Sequence, residues 1–296
     1  MKSIPAALLA LFIGAFLFSC KETTTITNVD YDTTIVILDS TVDRFVIDTV
    51  VTFASGIDRP GAIIFNGAGD LLVGNFSNPG VINKVTAAGV VSVFGSGPGR
   101  AVAGLAIDPA GNVYGGYQDG TVKRLPPSGG TPVTIISNLQ NPAGLAFDRG
   151  GNLYVVEHDA NRISVYGPSP SYTFQRYLGL GVAGPVGITW HDGGLYVANR
   201  FGQNIVRIDS TGGTASVVFR GDGPLGTLFI DDAGNLFMTT SGLTPTLKVY
   251  VLASNGTAVI LAHDFASPGG LAMDAEHRLY VGNSAGTTIS RVSFVQ

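Results

Sequence analysis

A short text recurs six times along this chain. "AGLAFDRGGNLYVVE" (143–157) has counterparts in "GAIIFNGAGDLLVGN" (61–75), "AGLAIDPAGNVYGGY" (103–117), "VGITWHDGGLYVAN" (186–199), "GTLFIDDAGNLFMTT" (226–240) and "GGLAMDAEHRLYVGN" (269–283). Alignment on Asp148 puts Asn66, Asp108, His191, Asp231 and Asp274 at equivalent places, at intervals of 42, 40, 43, 40 and 43 residues. A period near 40 outranks any single motif. A repeat of that length is one supersecondary unit, which stacks on its neighbours to bury a face it cannot bury alone.

Each unit reads as four strands. A glycine followed by alternating apolar residues, as in "GLAFD", predicts the first. Asp-x-x-Gly-Asn is a tight turn, because Gly and Asn tolerate positive φ there. "LYVV" predicts the second strand. After a polar loop, "NRISVY", "QNIVRI" and "TTISRV" predict the third, and "VVSVF", "VTIIS" and "SVVF" the fourth. Charged residues make up 13% and glycine 41 of the 296 positions, a mixture that suits short strands and tight turns better than helices. Four strands in each of six units predict an all-β chain, a six-bladed β-propeller of four-stranded antiparallel blades whose closure protects the blade edges. One Trp and no Trp-Asp dipeptide exclude the WD40 type. The last unit stops at "TTISRVSFVQ", its third strand, while "TVVTFASG" (49–56) matches the fourth-strand text "GVVSVFGSG" (89–97). The ring is therefore expected to close through an N-terminal strand in the last blade.

"PAGLAFDRGGNLYVVEHDANRI" resembles an NHL repeat, and residues 57–292 resemble the NHL and SMP-30/gluconolactonase-like six-bladed propellers. That resemblance implies the fold and leaves the function open, since these families include lactonases, lyases and interaction modules.

The N-terminus reads separately. Lys2 and the 16-residue apolar run Ile4–Ser19 form a secretory leader over 1–19. Cys20, the one cysteine, follows in "LFSC", which resembles a bacterial lipoprotein signal with Cys20 as the lipidated residue. An ordinary secretory peptide with an incidental cysteine is the alternative. Residues 20–43 are a Thr/Asp-rich tether. "DTT" at 32–34, "DST" at 39–41 and "DTV" at 48–50 resemble O-glycosylated envelope sites, with a plain stalk as the alternative. The propeller is assigned to 44–296 and the chain to the bacterial cell envelope, lipid-anchored at the outer membrane, in the periplasm or at the cell surface.

Candidate chemistry is sparse. The gluconolactonase-like enzymes hold a divalent metal through a Glu at the start of the first blade and Asn or Asp in later ones. Here the equivalent positions read Gly61, Ala103, Ala143, Val186, Gly226 and Gly269, without an oxygen-bearing side chain. The four histidines sit in unrelated segments, and no nucleophile elbow or phosphate loop occurs. Trp190 aligns with Phe65, Ile107, Phe147, Ile230 and Met273, and reads as blade-to-blade core. The richest ring ends the second strands: Asn75, Tyr117, Glu157, Asn199, Thr240 and Asn283, followed by Phe76, Gln118, His158, Arg200, Ser241 and Ser284. Blades two to four gather Tyr117, Gln118, Glu157, His158, Asn199 and Arg200 on one sector, a mix suited to a small polar ligand, with Tyr117 as a stacking plate. Asn75, Asn199 and Asn283 equally suit satisfaction of the following loop.

These observations predict a binding module acting through its loop face on a small polar ligand such as a sugar, or on another protein. The alternative is an SMP-30-like hydrolase (lactonase) or lyase, the only case calling for a cofactor, Ca²⁺ or Zn²⁺. The net charge of −4 and the lack of a basic cluster argue against nucleic acid. The membrane is reached through the lipid anchor only, and the chain is expected to be a monomer.

Overall fold

The computed structural model describes residues 45–296 except 46, 98, 180, 210, 241–247, 255, 263–264 and 295–296. The leader, Cys20 and the tether lie outside the described residues. Within them, the repeated text proves to be a hydrogen-bonded unit. Asp148 accepts the Asn152 backbone N–H (2.9 Å), the Asn152 side-chain amide (2.8 Å) and the Tyr154 hydroxyl (3.1 Å). Asp108 does the same for Asn112 and Tyr114, and Asp274 for Arg278 and Tyr280. Blade four has His191 at the anchor, and a two-residue hairpin replaces the longer turn. Its Asp192 and Gly193 take φ of 46° and 73°, the left-handed pair that matches strand twist.

The described residues form six four-stranded antiparallel sheets and no helix. The innermost strands, from Pro60–Phe65 in blade one to Pro268–Met273 in blade six, stand side by side around a central channel. Alternation along each strand puts one set of side chains toward the next blade. Blades three and four thus share a core in which Tyr154, Val156 and Ile163 meet Leu195, Val197 and Ile208. Each other neighbouring pair has its own cluster, including blades six and one, where Tyr280 and Ile289 meet Ile57, Leu71 and Val73. Full burial of such a side chain contributes about 1.5–3 kcal/mol, and here every such contribution needs the adjacent blade.

The glycine at the third position of the first strand in blades two and six has a geometric cause. A Cβ on Gly104 would stand 2.0 Å from the Ala143 carbonyl oxygen of the next blade, and one on Gly270 would stand 2.3 Å from that of Gly61. Both obstacles are backbone, so neither can swing aside. Gly104→Ala is therefore expected to destabilise by about 3 kcal/mol or more, at the upper end of core overpacking. A thermal melt within ~2 °C of wild type would refute this account of how closely the blades approach.

The ring closes as the sequence predicts. Ile47–Ser55 pairs antiparallel with Thr288–Phe294 and becomes the outer strand of blade six, with partners from Ile47↔Phe294 to Ser55↔Thr288. Phe53 meets the Tyr280 ring edge-on at 4.9 Å, and Phe45 packs on Phe237 and Phe294.

Candidate functional site

The start of each first strand pairs with the end of its second strand: Pro60↔Asn75, Val102↔Tyr117, Pro142↔Glu157, Pro185↔Asn199, Leu225↔Thr240 and Pro268↔Asn283. The next residue of the second strand then donates its N–H to the carbonyl of the residue preceding the first. This joins Phe76 to Arg59 (3.0 Å), Gln118 to Ala101 (3.2 Å), His158 to Asn141 (3.2 Å), Arg200 to Gly184 (2.9 Å) and Ser284 to Ser267 (2.9 Å). The repeat thereby fixes a ring of paired positions around one channel mouth.

The two positions at the end of each second strand have opposite fates. Asn75, Tyr117, Glu157, Asn199, Thr240 and Asn283 are all buried. Asn75 accepts the Val81 N–H at 2.7 Å, and Thr240 accepts that of Lys248 at 2.8 Å. Asn199 accepts from Ala183 N–H (3.1 Å) and donates to Gly181 O and Asn204 Oδ1 (2.8 Å each). Asn283 donates to Thr288 and Ser290, both at 2.9 Å.

Glu157, 0% exposed, accepts from the Gln140 N–H (2.9 Å), from Arg162 Nε and Nη2 (2.9 and 3.0 Å), and from the Ser164 hydroxyl. Burial pushes its carboxyl up, and the hydrogen bonds from Arg162, Ser164 and Gln140 outweigh that, holding it below the usual carboxylate range. Tyr117 is no stacking plate on the surface. It is enclosed in the core between blades one and two, with Lys123 Nζ 4.2 Å from its ring centroid and its hydroxyl without a partner. Burial, helped by Asp119, pushes that phenol up to about 12. The sequence reading placed both positions of each pair on one surface, whereas the strand's period of two sends the first into the blade.

The second positions line the channel. Phe76, Gln118, His158, Arg200 and Ser284 all border it, as do Arg59, Asn141 and Ser267; Ser241 lies outside the described residues. His158 contacts the Pro185 carbonyl through Nδ1 at 3.0 Å, and its ring lies 5.3 Å from that of Phe201, which is 68% exposed. Arg59 and Arg200 are exposed and carry no ion pair among the described residues. The acids next in sequence to Gln118, His158 and Arg59 differ. Asp119 is held by Lys123 and Thr121, Asp159 accepts from Asn141, and Asp58 is exposed beside Arg59. Behind the mouth the channel runs as a cavity of about 890 Å³ walled by first-strand residues such as Ile63, Leu105, Ile188 and Leu228. Trp190 lies in that wall, with the Arg149 guanidinium 5.2 Å above its ring and a buried indole N–H that has no partner.

Arg59 was not among the sequence candidates. It precedes the first-strand proline, and its counterparts are Asn141, Gly184 and Ser267. All four take left-handed φ, 45° at Arg59 against 53°, 57° and 59°. Asn and Gly are at ease there, but a long cationic side chain is not, and strain of this kind costs on the order of 1–3 kcal/mol.

The metal implied by the gluconolactonase-like resemblance does not fit these residues. No Asp or Glu lines the channel, and among the described residues no three of His, Cys, Asp and Glu stand together as a ligand group. A hard divalent cation needs several oxygen donors.

No protein-family model matches this sequence, and no curated protein matches it. Its fold, however, is shared with several solved structures. A gluconolactonase from Xanthomonas campestris superposes with a TM-score of 0.69 at 16% identity, over 83% of this chain and 89% of that one. An auxiliary nutrient-binding protein from Bacteroides ovatus gives 0.68 at 12% identity, over 83% and 76%. Virginiamycin B lyase from Staphylococcus aureus gives 0.59 at 19% identity, over 79% and 80%. At these identities the likeness establishes the architecture and leaves the chemistry to the site.

Proposed function

We propose that this chain is an envelope-anchored propeller, held by a lipid on Cys20, that binds a small polar ligand at the mouth of its channel. The observation that carries the reading is a division of labour. The first position of each mouth pair is buried, most of them in loop-closing bonds, while Arg59, Gln118, His158 and Arg200 border a deep cavity. Arg59 and Arg200 in particular have no internal ion pair among the described residues. The nutrient-binding neighbour shares this architecture. The chain acts as a monomer, with neither nucleic acid nor a bound cofactor taking part.

A second reading, hydrolysis or lysis of a ligand, draws support from the gluconolactonase and lyase neighbours. Its general base would be His158, the one imidazole bordering the channel among the described residues.

A thermal-shift series separates these readings. A bound ligand at a hundred times its Kd adds about 2.7 kcal/mol, or roughly 5–10 °C for a domain of this size. Among sugars, amino acids and organic acids, at least one is expected to give such a shift, reduced by Arg200→Ala with the unliganded melt unchanged. A shift with Ca²⁺ or Zn²⁺ alone would favour the enzyme. Silence across all of them would remove the small-ligand reading.

A further inference from the structure

Two sites on opposite sides of the mouth are built alike. In blade one, Arg59 precedes the first strand and Phe76 lies over Gly61, where a Cβ would come within 2.3 Å of the ring. In blade four, Arg200 follows the second strand and Phe201 lies over Gly184, where a Cβ would also come within 2.3 Å of the ring. Blades one and four face each other across a six-membered ring. Blade one therefore presents a guanidinium and a phenyl ring at the entrance of a cavity walled by apolar side chains, and blade four places Arg200 at that entrance with Phe201 beside the His158 ring. In both blades, only a residue without a side chain leaves room for the phenyl ring to lie where it does.

The charge at this entrance runs against the rest of the molecule. The chain carries a net charge of −4, yet the ionisable side chains bordering the channel are Arg59, His158 and Arg200, with no carboxylate among them. Five other cations of the described propeller form ion pairs, Lys84 with Asp70, Lys123 with Asp119, Arg162 with Glu157, Lys248 with Asp222 and Arg278 with Asp274. Arg59 moreover sits at a left-handed φ of 45°, where its counterparts are Asn, Gly and Ser. A strained backbone at a ligand-facing position points from the outlier toward function.

We infer that the mouth selects a small organic anion with a flat apolar body. The acid group, whether carboxylate, sulfonate or phosphate, pairs with the guanidinium of Arg59, whose planar fork suits such groups, and Arg200 across the mouth adds positive charge to the same entrance. The apolar body lies against Phe76 and points into the channel. This inference rests on the mouth being a binding site and adds the class of ligand.

The test is titration calorimetry on the propeller with 2-naphthoate and its uncharged counterpart 2-naphthamide. Naphthoate is expected to bind at least about tenfold more tightly than the amide, and less tightly as salt rises. Arg59→Asn is expected to weaken naphthoate about tenfold and Arg200→Gln by a smaller factor, and both are expected to leave the amide unchanged. Arg59→Asn installs the residue that blade three already carries in the same conformation, so it is expected to fold with an unchanged or raised melting temperature. Equal affinity for acid and amide, both weakened by Phe76→Ala, would overturn the anion assignment and leave the mouth as a binding site. Naphthoate binding unaffected by either arginine variant would overturn it too, as would no binding of naphthoate at all.

Discussion

Deletion of residues 47–56 is expected to lower the melting temperature by about 10–20 °C or to abolish the cooperative melt. The segment contributes the outer strand of blade six, with paired positions running from Ile47 to Ser55 along Thr288–Phe294. Its backbone hydrogen bonds are worth roughly 0.5–1.5 kcal/mol each. At its ends Phe53 packs on Tyr280, and Ala54 is buried with Ile57 in the cluster between blades six and one. A loss on the order of 5 kcal/mol is a large share of the 5–15 kcal/mol that holds a domain folded, and each kcal/mol moves the melt by about 2–4 °C at this size. The deletion also uncovers the Thr288–Phe294 edge, a template for pairing with other chains. Removal of residues 20–43 is the control and is expected to leave the melt in place. Circular dichroism melts of the two deletions decide the matter, and equal melting temperatures would show that the ring does not depend on this strand.

That closure was legible because it follows from a count. Six repeats of four strands leave one blade a strand short, and the only unassigned strand-like text lies at the other end of the chain. The turns were legible for a similar reason, since Asp148, Asn152 and Tyr154 bond to one another within a few residues and need no tertiary knowledge. The first strands also announced themselves, although the reason for Gly104 and Gly270 lies in the backbone of the next blade, which no local pattern reveals.

The site was harder to read, and the difficulty is one of parity. Glu157 and His158 are adjacent in sequence and ionisable, and the repeat aligns both with variable positions. Only the pairing Pro142↔Glu157 shows that Glu157 closes the ladder and turns into the blade, leaving His158 to border the channel. Tyr117 and Gln118 divide in the same way. Arg59 lies one residue before the first-strand proline, outside the ring of positions that follow it. The signal was present in "DRPG" set beside "QNPA", "AGPV" and "ASPG". An Arg where the three other blades with a first-strand proline carry Asn, Gly and Ser breaks a local rule, and such breaks mark strained or functional sites.

Glu157→Ala is expected to act on stability and to leave ligand affinity at the mouth untouched, which separates a structural carboxylate from a catalytic one. The variant would strand Arg162, whose side chain is 28% exposed, and would leave the Ser164 hydroxyl and the Gln140 N–H without an acceptor. Removing one partner of a buried pair costs about 3–5 kcal/mol. The lower end applies here, because Arg162 keeps some contact with water and still stacks on Tyr177, 3.9 Å from its ring centroid. A fall in melting temperature of roughly 6–12 °C follows. The pH dependence gives a second, independent readout. The carboxyl is held below its ordinary value in the folded state, so the unfolded chain takes up a proton first as the pH falls. The stability that Glu157 supplies is therefore fully present above about pH 4.5 and is lost as the pH drops through the lowered folded value. Glu157→Gln removes that titration, so the gap between its melting temperature and that of wild type is expected to be widest at neutral pH and to narrow below about pH 4.5. A gap independent of pH would show that the charge of Glu157 contributes nothing, and a loss of ligand binding in a fully folded Glu157→Gln protein would return this residue to the site.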